Sequence, residues 1–281
     1  MTEQPIVISA FYKFVDLPDY HDLKQPLLDL CNENGVYGTI LIASEGINAT
    51  IAGTHAGMTA VLESLMDDPR FADMTVKKSY ADFIPFQKMK VRYKKEIVRL
   101  KVDGIDPLER VGTYVDPEEW NRLISDPDVI VIDTRNDYEV KIGTFENAIN
   151  PETRSFHELP EYVAENLDPT KHKKVAMFCT GGIRCEKATA FMLGQGFENV
   201  YHLNGGILRY LEEMPEEESK WQGECFVFDD RISVDHKLQP TDTFICDFCK
   251  EVVTEQSGTC PFCGAEVEPL PAPPEPSIAV D

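Results

Sequence analysis

Cys179 ends an apolar run, Val175-Ala176-Met177-Phe178, and opens a six-residue turn, Cys179-Thr180-Gly181-Gly182-Ile183-Arg184, that leads directly into helix-like sequence from Cys185 to Leu193. A strand that delivers a cysteine into a glycine-containing loop at a helix start surrounds the sulfur with backbone N–H groups and the positive end of the helix dipole. Those surroundings favour the thiolate, the nucleophilic form of the side chain. Arg184 adds a fixed positive charge, and Gly181 and Gly182 permit backbone angles that turn several N–H groups toward one centre. The plain alternative is a cysteine that only ends a core strand; the Gly-Gly-x-Arg that follows argues against it. Cys185 is either a resolving thiol for an oxidised Cys179 or a buried helix cysteine.

A second cysteine group stands near the end of the chain. Cys246-x2-Cys249 and Cys260-x2-Cys263 are separated by ten residues, and the second pair reads Cys-Pro-Phe-Cys-Gly. Four thiolates on two tight turns can close a tetrahedral zinc shell and organise a segment too short for its own core. Paired disulfides or redox thiols are the competing reading.

A third group is basic. Between Lys77 and Lys101, nine bases stand against two acids, a net of +7 in a chain whose formal charge is −22. Lys88, Lys90, Arg92, Lys94 and Lys95 form its centre, and Tyr80, Phe83, Phe86 and Tyr93 are interleaved. Such an arrangement can hold phosphates and stack unpaired bases. It equally suits a basic strand pair beside an acidic neighbour. The overall charge argues against nonspecific nucleic-acid binding by the whole surface.

These groups need a frame, and 281 residues with 42% apolar content suffice for two domains and a tail. No stretch is long and apolar enough to span a membrane, and the first ten residues lack an export signal, so the cytoplasm is expected. Apolar periodicity predicts a strand over 6–14, a helix over 19–34, strands over 36–43 and 47–53, a helix over 54–66 and a strand over 75–80. That order indicates an α+β domain of ferredoxin-like type across residues 1–102, with one or two further basic strands in 90–102. A linker over 103–114 follows. Asp116-Pro117-Glu118-Glu119 then opens a helix. Apolar strands at 129–132, 175–178 and 200–203 alternate with helical stretches, which implies a parallel sheet with helices on both faces across 115–215. Ligands gather at the carboxyl ends of such strands, where Asp133, Cys179 and Gly205 lie. A cysteine-rich segment occupies 216–268. The remainder, 269–281, is proline-rich and expected to be disordered.

Val-Ile-Asp-Thr-Arg-Asn-Asp-Tyr-Glu at 131–139, the 179–184 loop and Leu-Asn-Gly-Gly-Ile at 203–207 resemble a rhodanese domain. Asp133 and Arg135 would then support the loop; as residues alone, Asp133 equally caps the next helix and Arg135 equally makes a surface or interdomain ion pair. With Ser44-Glu45-Gly46-Ile47-Asn48-Ala49-Thr50, Lys90-Val-Arg-Tyr-Lys-Lys-Glu-Ile-Val, Phe228-Asp-Asp-Arg231 and Val234-Asp-His236, the chain as far as about Leu238 is similar to the bacterial oxygen-dependent tRNA uridine hydroxylases. The resemblance implies hydroxylation of C5 of the wobble uridine in the anticodon loop, with Cys179 essential. Molecular oxygen would be co-substrate, and an unidentified reductant would supply two electrons, since no flavin, haem or Gly-x-Gly-x-x-Gly pattern is present. The C-terminal cysteine spacing departs from that of other members. Two other classes stay open: a sulfurtransferase working through a Cys179 persulfide, and a noncatalytic tRNA-binding scaffold.

Overall fold

The computed structural model describes residues 5–254 and 258–266. Its first unit runs β1 (Ile6–Phe14), α1 (Tyr20–Glu33), β2 (Tyr37–Ala43), β3 (Gly46–Gly53), α2 (His55–Met66), β4 (Val76–Ala81) and β5 (Met89–Tyr93). The sheet order is β4-β1-β3-β2-β5; β1 is antiparallel to β3 and β4, while β5 adds parallel to β2 at the edge. The period-two pattern of the strands explains the layering. Val7, Phe11, Ile40, Ile42, Ile47, Ala49 and Ile51 alternate onto one face and pack with Leu27 and Cys31 of α1 and Met58, Val61, Leu62 and Leu65 of α2. The opposite face mixes Ile8, Phe14 and Leu41 with small and polar residues, Ala10, Tyr12, Thr39, Asn48 and Thr50.

Within 90–102 only residues 90–93 are strand, the end of β5, which corrects the expected one or two strands reaching residue 102. The chain beyond it is held by side-chain acceptors: Ile97 N–H donates to Glu45, and the Leu100 and Lys101 N–H groups donate to Glu96. Basic neighbours in sequence are also separated in space. Lys77 and Lys78 lie on β4 and Lys90 and Arg92 on β5, at opposite edges of the sheet.

The second unit comprises β6 (Thr113–Val115), α3 (Pro117–Leu123), β7 (Val129–Asp133), α4 (Asp137–Val140), β8 (Gly143–Phe145), α5 (Leu159–Asn166), β9 (Lys174–Phe178), α6 (Ile183–Gly194), β10 (Asn199–Leu203), α7 (Gly206–Glu213) and β11 (Trp221–Gly223). Its parallel sheet has the order β6-β10-β9-β7. Val131, Ala176, Phe178 and Leu203 pack beneath α3 and α7, through Trp120, Ile207, Tyr210 and Leu211. Ile132, Val175, Met177 and Val200 pack beneath α5 and α6, through Leu159, Val163, Ala188, Phe191 and Met192. Thr113 and Tyr114, read from sequence as linker, belong to β6.

Beyond β11 the chain is mostly irregular, with short hairpins of β12 (Cys225–Phe226) with β13 (Ser233–Val234) and of β14 (Phe244–Ile245) with β15 (Val252–Val253). The expected tail over 269–281 lies outside the described residues. No helix among the described residues is long and apolar enough to cross a membrane.

Candidate active site

β9 carries Cys179 to the carboxyl end of the parallel sheet, and α6 begins four residues later. Gly182 takes φ +100 and donates its N–H to Cys179 Sγ at 3.1 Å. A Cβ at Gly182 would meet Tyr12 Oη at 2.9 Å, so glycine serves both the left-handed turn and the approach of the first domain. α7 is packed into the same loop: the Ile207 N–H donates to the Cys179 carbonyl and the Leu208 N–H to that of Thr180. At Gly206, φ +68, a Cβ would lie 2.5 Å from the Cys179 carbonyl oxygen.

Burial by itself would raise the Cys179 thiol. A hydrogen bond from Cys185, the Arg184 charge and the Cys185 and Arg184 N–H groups outweigh it and hold Cys179 well below the ordinary thiol range. Cys185 is pushed the other way, by burial first and then by its neighbour Cys179. Cys185 is fully buried in α6 with Thr134 Oγ1 3.6 Å from its sulfur. It therefore stands as the protonated partner of Cys179, in addition to its place in the core.

Asp133 and Arg135 do not touch the cavity. They form a wholly buried pair, with Arg135 Nη2 2.6 Å from Asp133 Oδ2, and Arg135 also donates to the carbonyls of Glu139 and Gly143. Neither a helix cap nor a surface ion pair describes them. The pair anchors the 133–143 segment and hence Glu139, which grips Arg184 bidentately at 2.6 and 2.8 Å. Arg184 thus owes its position beside the sulfur to residues 45 positions away.

Cys179 is 1% exposed and, with Thr180, Gly181, Ile183 and Arg184, lines a cavity of about 370 Å³ between the two units. The opposite wall is the face of the first sheet turned away from α1 and α2. Strand register sets one row across it, Lys77, Ala10, Thr50, Thr39, Lys90, and a second, Tyr12, Asn48, Leu41, Arg92. The middle of each row lines the cavity, and Lys90 and Arg92 share that face at its far edge. Two ends of one row stand about 19 Å apart, four interstrand steps of roughly 4.8 Å. Among the described residues Lys88, Lys90, Arg92, Lys94 and Lys95 make no ion pairs, and all but the half-buried Lys90 are exposed. Lys94 and Lys95 follow the strand rather than lying on it.

Tyr12, Tyr114 and Glu186 escaped the sequence reading, and Lys77 and Arg231, noted there in the basic stretch and the 228–231 motif, were given no place beside Cys179. Tyr12 Oη donates to Glu186 at 2.8 Å and Tyr114 Oη to the same carboxylate at 2.7 Å. Burial raises the Glu186 carboxyl above its usual range. Lys77 Nζ donates to the Gly181 carbonyl at 2.7 Å. Tyr12 and Lys77 alternate out of strands whose other face meets helices, and that exposed polar face was the available signal. Arg231 also lines the cavity: it pairs with Asp229 at 2.7 Å and donates to Ser79 Oγ on β4.

In the C-terminal module the Sγ atoms of Cys246, Cys249, Cys260 and Cys263 all lie within 4.8 Å of one another, a set that can hold a metal ion. Cross pairs stand at 3.8 and 3.6 Å, far beyond a disulfide bond. The two turns repeat each other: the Lys250 N–H donates to the Cys246 carbonyl and the Gly264 N–H to that of Cys260, each at 2.8 Å.

Residues 6–97 match the family model described as the UPF0176 acylphosphatase like domain, and residues 116–213 match the rhodanese-like domain. The chain therefore joins an acylphosphatase-like domain, a rhodanese-like domain with a parallel sheet, and a cysteine-rich segment. Similar solved structures include the rhodanese-like domain of an Anabaena protein, 16% identical over 40% of this chain and 80% of that chain with a TM-score of 0.34. A rhodanese-related protein from Thermoplasma volcanium is 27% identical over 36% of this chain and 93% of that chain, with a TM-score of 0.30. A rhodanese-like domain protein from Staphylococcus aureus is 20% identical over 35% of this chain and 90% of that chain, also with a TM-score of 0.30.

Proposed function

We propose that this protein hydroxylates C5 of the wobble uridine of tRNA, with Cys179 as the nucleophile. The observation that carries this reading is a low-pKa thiolate lining a cavity whose far wall is a sheet face edged by cations. A rhodanese-like domain needs no such wall for sulfur chemistry alone. An anticodon loop offers unpaired bases, so one pyrimidine can enter the cavity without duplex melting while Lys90, Arg92 and the exposed Lys88, Lys94 and Lys95 hold neighbouring phosphates.

Bond formation between Cys179 Sγ and C6 of uracil moves the C5=C6 electron pair toward O4 and makes C5 nucleophilic. One atom of molecular oxygen is then added at C5. The other leaves as water with two electrons and two protons from an external two-electron donor. Loss of the C5 proton and release of the thiolate from C6 restore the ring. Arg184 and the loop N–H groups keep the sulfur ionised before attack and stabilise it on departure. The four C-terminal cysteines would hold a structural zinc ion that takes no part in these steps, and the chain works in the cytoplasm.

The test is nucleoside mass spectrometry of tRNA from cells that lack 5-hydroxyuridine, supplied with either the wild-type protein or Cys179→Ser. Appearance of the nucleoside with the first and not the second supports the reading; appearance with neither refutes it. The loop itself favours a second reading, because an amide nest also suits a persulfide anion. Sulfur transfer would show as a 32 Da gain on Cys179 with thiosulfate and thiocyanate release with cyanide.

A further inference from the structure

Two lysines cross the seam between the units, and they are held differently. Lys187 is 2% exposed, and its Nζ lies 2.8 Å from Glu45 and 2.7 Å from Glu96. It is a paired strut. Lys77 makes no ion pair among the described residues; its one protein acceptor is the Gly181 carbonyl in the Cys179 loop. Its Nζ also stands 5.3 Å from the centre of the Tyr12 ring, and Tyr12 is fixed by its bond to Glu186. An ammonium taken partly out of water with no carboxylate at ion-pair distance among the described residues is costly, and a strut would have been built as Lys187 is. Both Lys77 and Cys179 line the same cavity, which leaves two N–H donors of the ammonium for a ligand there.

We propose that Lys77 is a catalytic residue lent to the thiol site by the N-terminal domain, donating a hydrogen bond to the O4 oxygen of the uracil as Cys179 adds to C6. This rests on the uracil reading above. As the S–C6 bond forms, the C5=C6 pair becomes C4=C5 and the carbonyl pair moves onto O4, which becomes an enolate oxygen. The ammonium meets that charge where it develops, while its bond to the Gly181 carbonyl sets its distance from the sulfur. Tyr12 is a positioning residue: its ring bounds the ammonium and its hydroxyl is committed to Glu186. Burial draws Lys77 down to about 8, against the opposing pull of Cys179, Glu186 and Glu212 and with the Arg209 charge adding to the fall. The protonated form is the working one, so the addition step should slow as pH rises through about 8.

The experiment uses the full chain and an anticodon stem-loop RNA carrying 5-fluorouridine at the wobble position, with oxygen excluded. Addition of Cys179 to C6 followed by protonation at C5 gives a covalent complex read by intact mass. Lys77→Met should form it about 100-fold more slowly, the effect of removing one oxyanion donor, with RNA affinity unchanged within threefold. Lys77→Arg should recover much of the rate and lose the decline above pH 8. Alkylation of Cys179 by iodoacetamide at pH 9, unchanged within threefold in both variants, verifies an intact loop. Adduct formation by Lys77→Met at the wild-type rate overturns the role of Lys77. No adduct with the wild type overturns the uracil reading itself, and the inference with it.

Discussion

Cys179 and Cys225 are both buried cysteines of the same half of the molecule, and their surroundings drive them apart. Cys225 has a carbonyl acceptor, Phe226, and burial pushes it up to about 12. Cys179 has donors: the Gly182 N–H, the Cys185 thiol and the Arg184 charge. Iodoacetamide at neutral pH should therefore alkylate Cys179 and spare Cys225 and Cys31, the latter also raised to about 12 by burial. Peptide mass mapping checks this, and the Cys179 rate should fall only when pH drops through its lowered titration. Replacing the Arg184–Glu139 pair together, Arg184→Met with Glu139→Gln, avoids a stranded buried carboxylate. That double variant should shift the alkylation profile to higher pH; an unmoved profile would show that the charge is not what ionises the sulfur.

The loop is shaped by elements that arrive from elsewhere. α7 starts against it through Gly206, where a Cβ would press on the Cys179 carbonyl and the backbone is left-handed. Gly206→Ala should cost on the order of 1–3 kcal/mol of stability, measured by denaturant unfolding, and should reduce Cys179 alkylation. The periodicities that reveal single elements were plain in the sequence: alternation in 6–14 and 47–53, apolar blocks at 129–132 and 175–178. The motif at 203–207 was read as a strand end, and α7 behind it went unread although Ile207, Tyr210 and Leu211 carry helical spacing. What local pattern cannot carry is partnership. The basic stretch reads as one surface along the chain, yet the sheet order sends its two strands to opposite edges. Asp133 read as a possible helix cap and Arg135 as a possible surface or interdomain ion pair, and only the packed fold shows them as a buried pair whose arginine holds the Glu139 carbonyl.

At the scale of the whole molecule, the cavity exists because two units meet. Tyr12 and Lys77 reach the Cys179 loop, at Gly182 and Gly181, across more than a hundred residues of chain, a relation no local pattern announces. The Lys187 strut to Glu45 and Glu96 keeps that meeting in register. Lys187→Met would leave two carboxylates facing each other at the seam, and the loss should be about 3–5 kcal/mol, with protease cleavage rising in 94–112. For the RNA, Lys90→Gln with Arg92→Gln should weaken anticodon stem-loop binding and lower the slope of log affinity against log salt by about 0.7 for each charge that contacts a phosphate. Removal of metal from the Cys246, Cys249, Cys260, Cys263 set should unfold that module and leave Cys179 alkylation unchanged, with metal content read by elemental analysis. The most direct measurement of the central claim supplies tRNA with the purified protein, ¹⁸O₂ and a cell extract lacking the protein as electron source. The expected product is 5-hydroxyuridine carrying one ¹⁸O atom, formed by the wild type and absent with Cys179→Ser. Product that is unlabelled, or that forms equally with Cys179→Ser, would contradict the account.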